Sequence, residues 1–201
     1  MSRTIFISLM MIPLIGGLMK EAGAQDSITD IDDNTYPVIT IGSQVWMAAN
    51  LRATHDAEGR PLNGYCFQNS EDNCLKYGML YSWDCMMNGD SKEKTRGICP
   101  QGWHIPSDQE WETLCTVLGG ADHAGKRMRE DSSLAFFVQY AGNYFPKHKI
   151  FSYLDEQAYY WTSSMYTGQS AWIRNMSLKS TNVNRTTVRK DYCFSVRCTK
   201  D

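Results

Sequence analysis

Seven cysteines follow a leader built for export, and this pairing narrows the possible folds more than any other feature of the chain. Residues 1–24 read as a secretory signal peptide. Arg3 supplies the positive start, Ile5 to Leu18 is apolar apart from Ser8, Pro13 and the glycines, and Ala22-Gly23-Ala24 is a small-residue cleavage site. The apolar run is too short for a comfortable membrane span. No cysteine follows it where a lipid would attach, so cleavage near Ala24 leaves Gln25 first and one domain over 25–201. Beyond the membrane, disulfides are the default state of cysteine. The sequence has no C-x-x-C pair and no histidine cluster, so neither a zinc site nor any other metal or cofactor is expected.

Length then separates the cysteines from necessity. A chain of 201 residues, 42% of them hydrophobic, buries a continuous core without staples, so the disulfides must serve loops or chain ends rather than rescue a small fold. Removing Arg3, Lys20 and Glu21 turns 20 basic against 22 acidic residues into 18 against 21, about −3 for the mature chain. That balance argues against nucleic acid or an anionic membrane as partner, since both select a large basic excess. Six Trp and eleven Tyr instead point to a Trp-anchored core, a ligand-facing surface, or both.

Local patterns place elements along the mature chain. Thr29 to Leu51 reads as an opening β-hairpin with turns at Asp32-Asp33-Asn34 and Gly42-Ser43. Asp30-x-Asp32-x-Asn34 matches the start of a calcium loop, but Thr35 and Ile41 stand where such a loop needs Gly and Glu, so an Asx turn is the better reading. Residues 52–76 are polar and turn-rich, and the spacing of Cys66 and Cys74 suits a local disulfide closing one loop. Met79, Leu80, Trp83, Met86 and Met87 predict a helix over 77–88 with one buried stripe, stopped by Asn88-Gly89. Ser107-x-x-Glu110 is a capping box, and Trp111, Leu114, Cys115 and Leu118 fall on one face of the helix it starts, which Gly119-Gly120 ends. A shorter helical piece is predicted at 124–129. Short β runs follow at 136–140, 150–153, 158–162, 171–176, 186–188 and 194–198. Two helices in the first half and a twisted antiparallel sheet in the second make an α+β chain.

Five ordered motifs then carry a resemblance. They are Asp30-Ile31-Asp32-Asp33-Asn34-Thr35-Tyr36, the run from Ile41 through Trp46 and Asn50 to Leu51, Lys76-Tyr77-Gly78-Met79-Leu80-Tyr81-Ser82-Trp83, the run from Cys99 through Trp103-His104 to Ser107, and Ser195-Val196-Arg197-Cys198. Together they resemble the Fibrobacter succinogenes major paralogous domain family over about residues 29–201. The resemblance implies an exported protein of Bacteroidetes or Fibrobacter relatives. The second half is also similar to the C-type-lectin-like fold, which implies that Cys99, ahead of the capped helix, pairs with Cys198 at the last strand. Cys85, Cys115 and Cys193 are left over; two of them could form a third bridge, and one thiol remains in any intramolecular scheme. The chain lacks the Glu-Pro-Asn, Gln-Pro-Asp and Trp-Asn-Asp triplets of calcium-dependent sugar-binding lectins, so the lectin-like fold carries no implication of calcium-dependent sugar binding.

Catalytic groups are sparse. His55, His104, His123 and His148 are scattered, no nucleophile-elbow, metalloprotease or phosphate-loop pattern occurs, and His104 reads as structural, its ring satisfying a turn carbonyl. The acidic pairs Asp30/Asp32 and Asp155-Glu156 read as solvated. Binding is the stronger class. Residues 171–201 hold seven Lys/Arg against two Asp, reversing the charge of the chain. Tyr166, Trp172, Arg174, Asn182, Asn184 and Arg185 supply rigid contact area and adaptable hydrogen bonds in the region where lectin-like folds carry their ligand surface. Trp161 reads as core. The expected function is a non-catalytic recognition domain for a glycan or surface-protein ligand. The alternatives are a self-assembling subunit of a surface appendage and, third, an enzyme on a lectin-like frame. Fractionation would place it as periplasmic, cell-surface-associated or released.

Overall fold

The computed structural model describes residues 26–201, and the predicted signal peptide lies outside the described residues. In chain order the elements are β1 (Ser27–Thr29), β2 (Thr35–Ile41), β3 (Gln44–Met47), β4 (Gly64–Tyr65), α1 (Glu71–Tyr77), β5 (Leu80–Ser82), α2 (Trp83–Met87) and β6 (Trp103–His104). Then come α3 (Asp108–Val117), α4 (Ala121–Glu130), β7 (Asn143–Phe145), β8 (Ile150–Ser152), β9 (Gln157–Thr167), β10 (Ser170–Ser177), β11 (Asn184–Arg189), β12 (Cys193–Phe194) and β13 (Thr199–Lys200). The strands form three antiparallel sheets with orders β1-β2-β3-β13-β6, β11-β10-β9 and β4-β5-β12-β7-β8. The molecule is α+β, with four α-helices among the described residues rather than two.

The last nine residues connect the sheets. Cys193 and Phe194 pair with Ser82 and Tyr81, Ser195 bridges to Tyr160, and Thr199 lies between Trp46 and His104. A strand that passes between sheets cannot stay in one ladder, which is why the predicted run 194–198 becomes two short strands. Between them, Val196 and Cys198 offer their carbonyls to the amides of Leu51 and Met47. The disulfide Cys99–Cys198 fastens this segment to the loop before β6, and Cys66–Cys74 closes the loop before α1. Cys85, Cys115 and Cys193 remain thiols. Burial pushes Cys115 up to about 11 and Cys193 to about 12, so both stay protonated and act as small apolar side chains.

The capping box forms as read: Ser107 Oγ accepts from the Glu110 amide, and the Glu110 carboxylate accepts from the Ser107 amide at 2.8 Å. The face it sets buries Trp111 against Trp46, Phe136 and Tyr160, with ring centroids 4.9 to 6.4 Å apart. The helix predicted over 77–88 is instead the end of α1, strand β5 and the short helix α2. Gly78, at φ +78, packs where a Cβ would stand 2.5 Å from that of Asn50, which stops α1 and turns the chain into the sheet. Met79, Leu80, Trp83, Met86 and Met87 are all buried, so the stripe was real but served a strand followed by a helix. The predicted strand 136–140 is irregular. Ala135 and Phe137 take left-handed φ of 51 and 46, which aims the Phe136 and Phe137 carbonyls at the Arg197 guanidinium. Left-handed φ at residues 135 and 137 breaks the extended backbone that a ladder requires.

Arg197 is the centre of a buried polar network made from the family-like motifs. Its Nε donates to Asn50 Oδ1 at 2.9 Å, and its guanidinium lies 4.3 Å from the Phe136 ring centroid. Asn50 Nδ2 in turn donates to the Tyr77 carbonyl at 2.9 Å and to Ser195 Oγ at 3.1 Å. Burial pulls the Arg197 pKa below the ordinary arginine value, and carbonyl oxygens and ring faces are what hold the charge. The expected Asx turn forms at Asp30. Asp30, buried rather than solvated, accepts from the amides of Asp32 and Asn34 and from the Asn34 side chain. Asp32 reaches across to accept from the Thr54 and His55 amides and pairs with His55 Nδ1 at 2.6 Å.

Candidate functional site: an aromatic and arginine face on the three-stranded sheet

The site begins with a bulge. β9 and β10 pair Tyr160 with Arg174 and Trp161 with Ile173, then slip so that Met165 stands opposite Ala171. Thr162, Ser163 and Ser164, three residues set against the single Trp172, are buried and hydrogen-bonded through their hydroxyls. Thr162 Oγ1 donates to the Trp172 carbonyl at 2.8 Å, Ser163 Oγ accepts from the Lys94 amide at 3.0 Å, and Ser164 Oγ accepts from the Asp108 amide at 2.9 Å. A bulge bends its strand and re-aims the residues beyond it. Here it carries the β9–β10 hairpin clear of the body, leaving Met165 to Gln169 exposed.

Trp172 sits at the root of that hairpin. Tyr166 meets it edge-on at 5.1 Å between centroids, and Arg185, from the neighbouring strand β11, lays its guanidinium 3.3 Å over the indole. Tyr166 is 57% exposed and Trp172 half-buried, so one face of the stack is supported and the other is open. The Arg185 Nε donates to Asp108 Oδ2 at 2.7 Å, which holds the cation flat against the ring. Asp108 is the first residue of α3 and a residue the sequence identified only as part of a helix start. It is the joint of the site.

The six predicted binding residues therefore have four different placements. Tyr166, Trp172 and Arg185 form one exposed cluster. Arg174 touches the same joint from beneath: it is 1% exposed, donates to Asp108 Oδ1 at 2.7 and 3.1 Å, and pairs with Glu112 at 3.0 Å. It supports the face without being displayed on it. Asn184 is exposed but lies one residue from Arg185, so strand alternation turns it to the opposite side of the sheet. Asn182 belongs to the loop before β11, where its backbone packs on Gly125 of α4, and its side-chain oxygen accepts from Thr181.

His104 is buried and its ring meets two carboxylates rather than a turn carbonyl. Its Nδ1 and Nε2 face the carboxylates of Asp201 at 2.7 Å and Glu110 at 3.1 Å. Burial opposes its charge, but the two carboxylates outweigh burial and hold its pKa above the usual value. Burial also works against Glu110, yet His104, the Ser107 amide and Lys94 together bring it down to about 2. This cluster locks the C-terminus to the start of α3.

A family model described as the Fibrobacter succinogenes major domain matches residues 39–200. No curated protein and no solved structure matches the chain.

Proposed function

Because the chain belongs to the Fibrobacter succinogenes major domain family, we propose that it is an exported, non-catalytic recognition domain of C-type-lectin-like fold whose Tyr166–Trp172–Arg185 face binds a glycan or a surface protein. One observation carries the reading. The residues that bear the family likeness, among them Asn50, Gly78, Ser195, Arg197 and the Cys99–Cys198 bridge, are spent inside the scaffold, whereas the aromatic and arginine face lies outside every one of those motifs. A rigid frame with an independent face suits recognition, since an anchored Trp with an Arg on it offers contact area at little entropic cost. The lectin-like reading draws support from the bridge between the loop ahead of α3 and the end of the chain. Export draws support from two disulfides, which suit an oxidising compartment.

Glycan arrays and pull-downs from surface-protein extracts test this. Trp172→Ala and Arg185→Ala should each lower binding about tenfold or more while leaving the melting temperature near that of the parent. Binding that persists in both variants places the ligand elsewhere. Self-assembly is the second reading, favoured by β11, an edge strand that pairs only with β10 among the described residues. Its arginines at 185 and 189 oppose edge-to-edge pairing. A concentration-independent monomer in size-exclusion and cross-linking experiments favours recognition; ordered oligomers favour assembly.

A further inference from the structure

The edges of the three sheets end in different ways. β1, β6, β4 and β8 close their sheets with only two or three residues each. β9 is bonded along its outer side: the Trp161 amide donates to the Ser195 carbonyl at 3.2 Å, the Ser163 amide to the Pro106 carbonyl at 2.9 Å, and the Tyr159 carbonyl accepts from the Ser195 amide at 3.1 Å. β11, the opposite edge of the same sheet, runs six residues in unbroken register with β10, with no proline and no bulge. Natural proteins shorten, bulge or cover such an edge, because every second residue turns its N–H and C=O outward. Among the described residues, no main-chain bond outside the β10 ladder reaches residues 184–188. The strand is nonetheless fixed at both ends. The Val183 amide donates to the Ala121 carbonyl at 2.8 Å, and the Lys190 amide donates to the Gln169 carbonyl at 3.0 Å.

Charge is the remaining device that blunts an edge, and on β11 it is turned aside. The Arg185 guanidinium is folded over Trp172 of the inner strand and held there through Nε by Asp108, which leaves the outer main chain uncovered. Its Nη1 and Nη2 groups bond nothing among the described residues, on a side chain 43% exposed. Four N–H donors in a rigid fork are the complement of a carboxylate. Arg189 is occupied by Asp191 at 3.1 and 2.6 Å. Arg185, Thr187 and Arg189 share one face of the sheet with Trp172, and Thr187 stands directly opposite the indole as the one small side chain between it and the edge.

We propose that β11 is a docking edge for an extended acidic segment of a partner protein, which adds to the sheet as a strand and sets a carboxylate on the free fork of Arg185. This rests on the recognition reading above and narrows its ligand to a protein. A row of main-chain donors and acceptors at strand spacing is matched by another peptide backbone, whereas the hydroxyls of a glycan do not repeat at that spacing. An added strand lies about 5 Å from β11, which puts Arg185 within reach of a glutamate side chain. The charge around the edge selects the same partner, since residues 171–201 hold seven Lys/Arg against two Asp. A second copy of the chain is a poorer occupant: antiparallel pairing of two β11 strands about Thr187 sets arginine against arginine.

The test titrates the mature chain with capped octapeptides of alternating Glu and Val, alternating Gln and Val, and alternating Lys and Val. The Glu–Val peptide should bind, the Gln–Val peptide about tenfold or more weaker, and the Lys–Val peptide weaker still. With Glu–Val bound, alternate amides within residues 184–189 should exchange their hydrogens about tenfold or more slowly. N-methylation of one alternate set of peptide amides should abolish binding, and of the other set should leave it. Arg185→Ala should bring the Glu–Val affinity down to that of Gln–Val, whose own affinity should not change. The proposal is overturned by equal affinity for Glu–Val and Gln–Val, by binding without slowed exchange at 184–189, by indifference to both N-methyl sets, by no binding of Glu–Val at millimolar concentration, or by exchange already slowed through self-association of the free chain. If residues 184–189 exchange freely while Trp172→Ala and Arg185→Ala still weaken binding of a glycan or an extracted surface protein, the aromatic-face reading stands and this one falls. If neither variant changes any binding, both fall.

Discussion

Trp172 and Arg174 stand two residues apart on β10, and their substitutions should separate binding from stability. Arg174 is buried and its partners Asp108 and Glu112 are partly exposed. Removing it strands Asp108 between a lost guanidinium and Arg185, at a cost of about 3 kcal/mol, the lower end for a broken buried pair. Urea unfolding of Arg174→Ala against Trp172→Ala should show that loss in the first and little change in the second. Arg197 poses a different case, a buried cation that meets no carboxylate among the described residues. Arg197→Lys should destabilise by about 3 kcal/mol or more, because one ammonium cannot reach the carbonyls of Phe136 and Phe137 and the Asn50 side chain together. A variant that melts with the parent would mean that the network does not hold the fold. The pH dependence belongs at this scale too. Glu110 and Asp56 are both held down to about 2; the Asp56 carboxylate reaches that value despite burial because the Arg60 amide and side chain, Asn88 and the Glu58 amide donate to it. Their stabilisation is complete above their unfolded values of about 4 and falls away as pH drops toward 2. His104 has the opposite sign. Its raised pKa contributes fully below the unfolded value of about 6.5 and is lost as pH climbs through the folded one. Denaturation midpoints should therefore peak between about pH 4.5 and 6.5, and His104→Gln should flatten the alkaline side and, because His104 also helps to hold Glu110 down, part of the acid side as well.

Elements were legible where their causes are local. The capped helix α3 was readable because Ser107, Glu110 and the Trp111 face lie within a few turns of one another. The ladder of β9 and β10 was readable from its aromatic and β-branched runs, but its bulge was not, since nothing in Thr162-Ser163-Ser164 announces that Lys94 and Asp108 will lie against it. The stripe over 79–87 misled for the same reason: a strand leading into a helix and a continuous helix bury the same residues here, and only the approach of Gly78 to Asn50 decides between them. The bulge makes a prediction of its own. Ser164→Val removes the acceptor for the Asp108 amide and should cost about 1–2 kcal/mol while loosening the carboxylate that positions Arg185. Ligand affinity should fall with stability in this variant, whereas Trp172→Ala should lower affinity alone. Equal affinity in Ser164→Val and parent would show that the joint at Asp108 does not position the face.

For the whole molecule, the final segment and its disulfide join three sheets that share no continuous ladder. Replacing both Cys99 and Cys198 by Ser opens a loop with a sequence separation of 99 and should cost about 4–5 kcal/mol, while the same change at Cys66 and Cys74, separation 8, should cost about 2–3 kcal/mol. Chemical denaturation of the two double variants checks the order; the reverse order would mean that strain or residual structure outweighs loop closure. The pairing of Cys66 with Cys74 came from spacing, that of Cys99 with Cys198 from the family likeness, and both are formed. What the sequence by itself determined was the family, the α+β class, the capped helix and the residue types from which a recognition surface is made. Those rest on local chemistry: caps, turns, alternation and motifs act over a few residues. Only the tertiary structure decided which residues share a surface. Arg174, read as a displayed residue, is turned inward by Asp108 from a distant helix, Asn182 and Asn184 are carried away by a loop and by strand alternation, and Arg185 is folded over Trp172 by the same Asp108. Exposure and charge pairing depend on neighbours brought together from across the chain, and one-dimensional patterns of residues do not contain that distance information.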